Sequence, residues 1–196
     1  SDLARWWKFD ETAGTTAYAT VGGFDGTLTN GASFATDKFG NALKLDGVND
    51  YVDFGMGAGD SGNQFSASIW TRWGSGAVPV GYGRVFDNKT GWNQSNGWHW
   101  QINQNNDRNL AVSGSANQIV YPNASPSWAA GNWHHIVLTF DGNGSNNSKI
   151  YADGTYRTQG TVDAITNGSD TLTLGLKPNA SDLVRFKGCL DDLRIY

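Results

Sequence analysis

The side chains best equipped for chemistry are aromatic and planar polar groups that alternate along three short runs. In 65–72, Phe65, Ala67 and Ile69 share one parity, and Ser66, Ser68, Trp70 and Arg72 the other. In 97–103, Trp98, Trp100 and Ile102 oppose His99, Gln101 and Asn103. In 133–140, Ile136, Leu138 and Phe140 oppose Trp133, His135, Val137 and Thr139. A strand turns successive residues to opposite faces, so the apolar sets mark core faces and the others an outer surface. If the three runs are neighbours in one sheet, that surface gathers Trp70, Arg72, His99, Gln101, Asn103, Trp133 and His135. A sugar offers an apolar C–H face to an aromatic ring and hydroxyls to amides and guanidinium groups, so the expected chemistry is glycan binding. The bland alternative is a solvated sheet whose Trp rings pack on their neighbours.

Two further Trp residues lie in polar loops, Trp92 within 90–96 and Trp128 within 125–129. An apolar ring there must pack over the sandwich rim or stack on a ligand at the edge of a groove. Arg84, with Arg72 and the His residues, favours an acidic or sulfated polymer, a tendency opposed by the net charge of -4.

Catalytic constellations are sparse. Glycoside hydrolysis uses a pair of carboxylates flanking the scissile bond. Glu occurs only at position 11, beside a turn, and the Asp residues sit mainly in turns. A polysaccharide lyase needs a Tyr or His base and polar groups that neutralise a uronate carboxylate, and Gln101, His135, Tyr151 and Arg72 supply those types. No Ser-His-Asp order, phosphate-cradling glycine loop or zinc-type His/Cys spacing is present. Binding is therefore expected over catalysis, with a lyase as one alternative.

The remaining composition narrows the class. With 14 Lys+Arg and no basic run, the chain carries no electrostatic footprint for nucleic acid. No apolar stretch reaches the ~18 residues of a membrane helix, and residues 1–9 lack the basic-then-apolar order of a signal peptide. The chain reads as soluble, with Ser1 marking a processed or excised start and a secreted or cell-surface location expected. The lone Cys189 reads as a small buried strand residue.

These side chains need strands to position them. Helical periodicity is nearly absent, and short alternating runs recur between clusters of Gly, Asn, Asp and Ser. Strands are expected at 4–9, 42–45, 51–54, 65–72, 84–87, 97–103, 110–113, 133–140, 149–152, 171–176 and 189–196. Asp153-Gly154 between 150–152 and 155–157 is a two-residue hairpin signal, because both residues tolerate positive φ. The Pro-bearing stretch 122–126 shows no composition shift around it, so residues 1–196 read as one all-β, two-sheet antiparallel sandwich. Nine Trp, nine Phe and seven Tyr supply its core.

Ordered motifs run nearly end to end: Trp7-Lys8-Phe9-Asp10-Glu11 with Gly14-Thr15-Thr16; Asp25-Gly26-Thr27-Leu28; Phe39-Gly40-Asn41-Ala42-Leu43 leading to Asp46-Gly47 and Asp50-Tyr51-Val52; Phe65-Ser66-Ala67-Ser68-Ile69-Trp70. Trp133-His134-His135-Ile136, Ile150-Tyr151-Ala152-Asp153-Gly154 and Gly188-Cys189-Leu190-Asp191-Asp192-Leu193-Arg194-Ile195-Tyr196 complete the series. In this order they resemble the laminin-G-like (LamG) jelly roll of the concanavalin A-like lectin/glucanase superfamily. The resemblance implies a curved two-sheet jelly roll with the first and last strands near each other. It also implies the roles such domains take: carbohydrate-binding modules beside bacterial polysaccharide-degrading domains, parts of adhesins, and protein-interaction modules. The Glu-x-Asp-x-x-Glu strand of this superfamily's glycosidases is missing, and Gln101-Ile102-Asn103 only partly resembles the Gln-Ile-His element of alginate lyases.

The resemblance further implies a structural calcium where the terminal strands meet. Asp191 looks like its usual carboxylate ligand, and the Asp25 loop, with carbonyls near Gly22 and Gly23, would complete the site; many relatives have Asp where this chain has Thr20. The functional expectation is a non-catalytic carbohydrate-binding module that recognises a polysaccharide or oligosaccharide, joined to other domains of a larger bacterial secreted enzyme or adhesin. A structural or protein-binding adhesion domain is the competing class.

Overall fold

The structure is a computed structural model that describes residues 2–37, 39–57, 62–73, 82–89, 97–103, 110–113, 118–121, 131–162, 164, 171–176 and 184–196. Its regular elements are strands: β1 (Arg5–Trp7), β2 (Thr16–Ala17), β3 (Ala19–Val21), β4 (Gly26–Thr29), β5 (Ser33–Asp37), β6 (Gly40–Asp46), β7 (Tyr51–Met56), β8 (Gln64–Trp73), β9 (Tyr82–Asp87), β10 (His99–Asn103), β11 (Leu110–Ser113), β12 (Gln118–Tyr121), β13 (His134–Asp141), β14 (Ser148–Ala152), β15 (Thr155–Gly160), β16 (Thr171–Leu174) and β17 (Lys187–Ile195). They form two antiparallel sheets. The first runs β15-β14-β13-β8-β17-β1-β3, with β6 also paired to β17 and β5 to β6; the second runs β12-β11-β10-β9-β16-β7-β4-β2.

Alternation builds the first sheet. Along β8 and β13 every second residue is buried, and the register sets Ile136 opposite Ile69, Leu138 opposite Ala67 and Phe140 opposite Phe65. The core face inferred from parity is therefore the one that packs. Phe65 reaches Trp98 at 4.5 Å between ring centroids, and Trp98 meets Phe86 edge-on at 4.2 Å, which joins the layers. Trp7 bridges the layers again, 4.5 Å from Phe54, and its buried indole N–H donates to the Phe24 carbonyl at 2.6 Å. That bond satisfies the one polar atom a buried Trp brings inside.

Turn chemistry holds as the sequence indicates. Asp153 and Gly154 take φ of 52° and 73° and connect Ala152 to its partner Thr155. The Asp153 side chain tightens the turn by accepting the His135 backbone N–H at 3.0 Å and contacting His134 Nδ1 at 2.9 Å. The ends of some strands differ from expectation. The first strand stops at Trp7 because Phe9, wholly buried, takes a positive φ of 60° and turns the chain away.

β17 lies between β8 on one side and β6 and β1 on the other, so the C-terminal strand is central and the N-terminal strand pairs with it, Arg5 opposite Ile195. The approach of β17 to β8 depends on Gly188, where a Cβ would sit 2.1 Å from the Arg72 carbonyl oxygen. Gly188→Ala is expected to lower unfolding free energy by about 1–3 kcal/mol, the usual cost of overpacking. A urea-denaturation midpoint equal to that of the unaltered chain would contradict this.

Candidate functional site

The structure divides the side chains that parity had grouped. β8 and β13 lie in the first sheet and β10 in the second, so the single outer face expected from three neighbouring strands does not exist. Trp70, Arg72, Trp133 and His135 belong to the outer side of the first sheet. His99, Gln101 and Asn103 belong to the second, beside Arg84, which pairs in register with Gln101. Parity sorts the two faces of each strand, but it carries no information about which strands pair. Trp92 and Trp128 lie outside the described residues, as does the side chain of Asn103.

On the second sheet the expected open surface is instead buried: Arg84 is 4% exposed, His99 0% and Gln101 1%. Arg84 contacts Asp87 Oδ2 at 3.0 Å and donates to Gln101 Oε1 at 2.8 Å. The guanidinium is thus partnered by a carboxylate and an amide, the condition under which a buried charge is tolerated. Gln101 is also separated by the sandwich from His135, Tyr151 and Arg72, so the four residue types considered for a lyase do not assemble.

On the first sheet, Arg72 and Trp133 meet at Asp37 of β5. Arg72 forms an ion pair with one Asp37 oxygen, and the Trp133 indole N–H donates to the other at 2.7 Å. The Arg72 guanidinium lies 5.6 Å from the Trp133 ring centroid. Burial pushes the Asp37 carboxyl up, but the bonds from Trp133, Cys189 and Arg72 outweigh it and hold the group below its ordinary value. Arg72 also reaches the buried Cys189 Sγ at 3.3 Å, consistent with a packed thiol whose titration burial pushes upward. Arg72 therefore ties β5 to β8 and is not a dangling cation for an anionic ligand.

Next to this knot lies an open cleft of about 370 Å³, lined by Trp6, Lys8, Asp10, Phe39, Trp70, Asp191, Asp192 and Arg194. The paired strands β8, β17 and β1 form its base. Phe39, 58% exposed, meets Trp70 edge-on at 5.2 Å, and Trp70 meets His135 at 4.9 Å. Across the cleft, Asp192 accepts the Trp6 indole N–H at 2.6 Å and binds Arg194 through both its oxygens, at 3.1 and 3.0 Å. Lys8 Nζ and Arg194 Cζ lie 4.7 and 4.8 Å from the Trp6 ring centroid. Burial pushes His135 below its ordinary value, with the Asp192 and Asp153 carboxylates opposing, so the ring is neutral at pH 7. An arrangement of half-exposed rings, fixed hydrogen-bonding groups and an Arg194 charge paired with Asp192 suits a polar ligand with an apolar face.

Sequence parity selected Trp70 and His135 but missed Trp6, Phe39 and Arg194. For Trp6 a signal existed. In the strand Trp6-Trp7 two successive indoles must face opposite ways, so burying Trp7 sends Trp6 outward.

The two carboxylates singled out for calcium take different surroundings. Asp25 is exposed and its Oδ1 accepts the Ala19 N–H at 2.8 Å. Asp191 lines the cleft, with Asp10 and Asp192 for neighbouring charges and Asp25 not among the lining residues. Among the described residues no three His, Cys, Asp or Glu side chains gather to hold a metal ion.

With fold and cleft established, comparison with known proteins fixes the lineage. A laminin-G-type family profile, described as the concanavalin A-like lectin/glucanases superfamily, matches residues 46–196, more than half of the chain. The chain belongs to this superfamily. No curated protein matches it. Among solved structures it resembles domain 4 of AbnA, a GH43 extracellular arabinanase from Geobacillus stearothermophilus, solved in complex with arabinotriose: 24% identity, TM-score 0.72, covering 100% of this chain and 92% of that one. It also resembles a Trypanosoma rangeli sialidase solved with sialic acid (15% identity, TM-score 0.69, 99% of this chain and 30% of that one). A third likeness is the receptor-binding domain of botulinum neurotoxin mosaic serotype C/D (14% identity, TM-score 0.69, 99% and 47%). At these identities the likeness is one of fold. The chain spans less than half the length of the sialidase and toxin chains.

Asp191 makes the cleft pH-sensitive. It is 3% exposed, and burial, followed by the charges of Asp10 and Asp192, pushes its carboxyl from 3.8 to about 7. The folded protein thus holds a proton that the unfolded chain gives up near pH 4. The stabilisation is complete below pH 4 and is lost as pH rises to about 7. Asp191→Asn is expected to raise the melting temperature at pH 8 and leave it nearly unchanged at pH 4. Equal shifts at both pH values would contradict this assignment.

Proposed function

We propose that this chain is a non-catalytic glycan-binding module of a larger extracellular protein, and that it engages its sugar in the cleft beside Trp70. The observation that carries the reading is the cleft itself: 370 Å³ of open space between Trp70, Phe39 and Trp6, with Arg194 and Asp192 already locked in orientation. Rings stack on C–H faces, and fixed donors and acceptors select hydroxyl orientations without a large ordering cost. Fold-level likeness to an arabinanase domain bound to arabinotriose supports the ligand class and makes arabinan a first probe. The likeness to a domain of an extracellular arabinanase supports the location, and the structure contains no helix long and apolar enough to cross a membrane among its described residues.

Affinity electrophoresis against arabinan, xylan, cellulose derivatives, α-glucans, alginate and sulfated glycans tests the reading. At least one neutral polymer should retard the chain, and Trp70→Ala should weaken that interaction about tenfold or more, equivalent to about 1.4 kcal/mol. Val48→Ala, exposed at a turn away from the cleft, should leave retardation unchanged. Free migration through every polymer would leave the adhesive or spacer role instead.

A further inference from the structure

The cleft continues into an ordered row of side chains that crosses the outer face of the first sheet. Strand pairing sets Tyr156 opposite Tyr151, Tyr151 opposite Val137, Val137 opposite Ser68, Ser68 opposite Arg194 and Arg194 opposite Trp6. Residues directly opposite in antiparallel strands project to the same face. The row therefore lies on one side of β15, β14, β13, β8, β17 and β1 in turn. Its ends are aromatic and its middle is low. Tyr151 and Tyr156 pack edge-on at 5.9 Å, and Tyr156 is 50% exposed. Val137 and Ser68 form a shallow floor between them and Arg194. Trp70 and His135, one register step along β8 and β13, stand beside that floor as a wall.

Six strands at about 4.8 Å spacing give the row a length of about 24 Å, far more than one sugar ring. Within it the one charge is Arg194, which Asp192 neutralises through two contacts. The trough thus offers rings at both ends, hydroxyl partners between them and no net charge in the row. We propose that this row is an extended binding track for an internal stretch of a neutral polysaccharide, about four or five linked residues running across the strands, given the spacing of strands in a sheet. The proposal rests on the glycan-binding reading and adds the polymer's charge class, the direction of the chain and a distal subsite at Tyr151 and Tyr156. Tyr156 stands on β15, the edge strand of the sheet, so the row is open at that end and suits the interior of a polymer, where a closed pocket would select chain termini.

Calorimetry with arabino-, xylo- and malto-oligosaccharide ladders of two to six units tests it. In the ladder that binds, affinity should rise about tenfold or more between the dimer and the pentamer. Tyr156→Ala, at an exposed position that leaves folding intact, should remove most of that gain and leave dimer binding unchanged. Raising salt from 0.05 to 0.5 M should alter the dissociation constant by less than about twofold, as expected for an uncharged ligand. A dimer that binds as tightly as the pentamer, or Tyr156→Ala without effect at every length while Trp70→Ala still abolishes binding, would overturn the track and keep the glycan-binding reading. Binding confined to alginate or sulfated glycans would overturn the neutral class. Binding of a protein partner in place of any glycan would overturn both.

Discussion

The geometry of the outer face depends on one irregularity in β17. Asp191 stands opposite Trp70 and Arg194 opposite Ser68, so three residues along β17 match two along β8. In a regular strand residues three apart point to opposite faces. The extra residue of a β-bulge restores them to the same face. Asp192 absorbs the distortion with a φ of 52°, a conformation that Asp accepts more readily than most residues. Its side chain then accepts from Trp6 and grips Arg194. One bulge in the central strand thereby sets the far wall of the cleft and the Arg194 step of the row.

The two sheets solve the problem of polar groups differently. On the second, Arg84, Asp87, His99 and Gln101 are buried together, and the Arg84 contacts with Asp87 and Gln101 show how that charge is accommodated. Removing one partner there would leave a buried group unpaired, which is costly. On the first, the two ion pairs remain partly exposed while their charges are pinned, Arg72 by Asp37 and Arg194 by Asp192. Among the described residues, the first arrangement presents oriented groups to solvent, and it does so next to aromatic rings held by core-packed strands.

Much of the fold was legible because strands with strict alternation announce themselves. β8 and β13 match expectation within a residue or two, and Asp153-Gly154 makes the hairpin its composition requires. The short strands β2 to β5 escaped because two to five residues beside glycines carry little periodicity. The candidate surface was half legible. Trp70 and His135 fell on an exposed face together, as parity required, whereas His99 and Gln101 share that parity pattern on a strand of the other sheet. Pairing between distant strands is fixed by packing across the whole chain, and Arg194 shows the same limit, since a bulge shifts parity without marking the sequence. Asp37 was invisible as the partner of both Arg72 and Trp133 because β5 reaches them only through the folded sheet.

The central claim is that ligand meets the outer face of the first sheet. Indole N–H resonances in two-dimensional NMR report it directly, since Trp6 and Trp70 line the cleft while Trp98 and Trp100 are buried in the core. On titration with the neutral oligosaccharide that binds most tightly, the Trp6 and Trp70 signals should move in a saturable manner and those of Trp98 and Trp100 should stay. Saturable shifts at the backbone amides of Arg84, His99 and Gln101, with the Trp6 and Trp70 signals unmoved, would place the ligand on the second sheet and contradict the account.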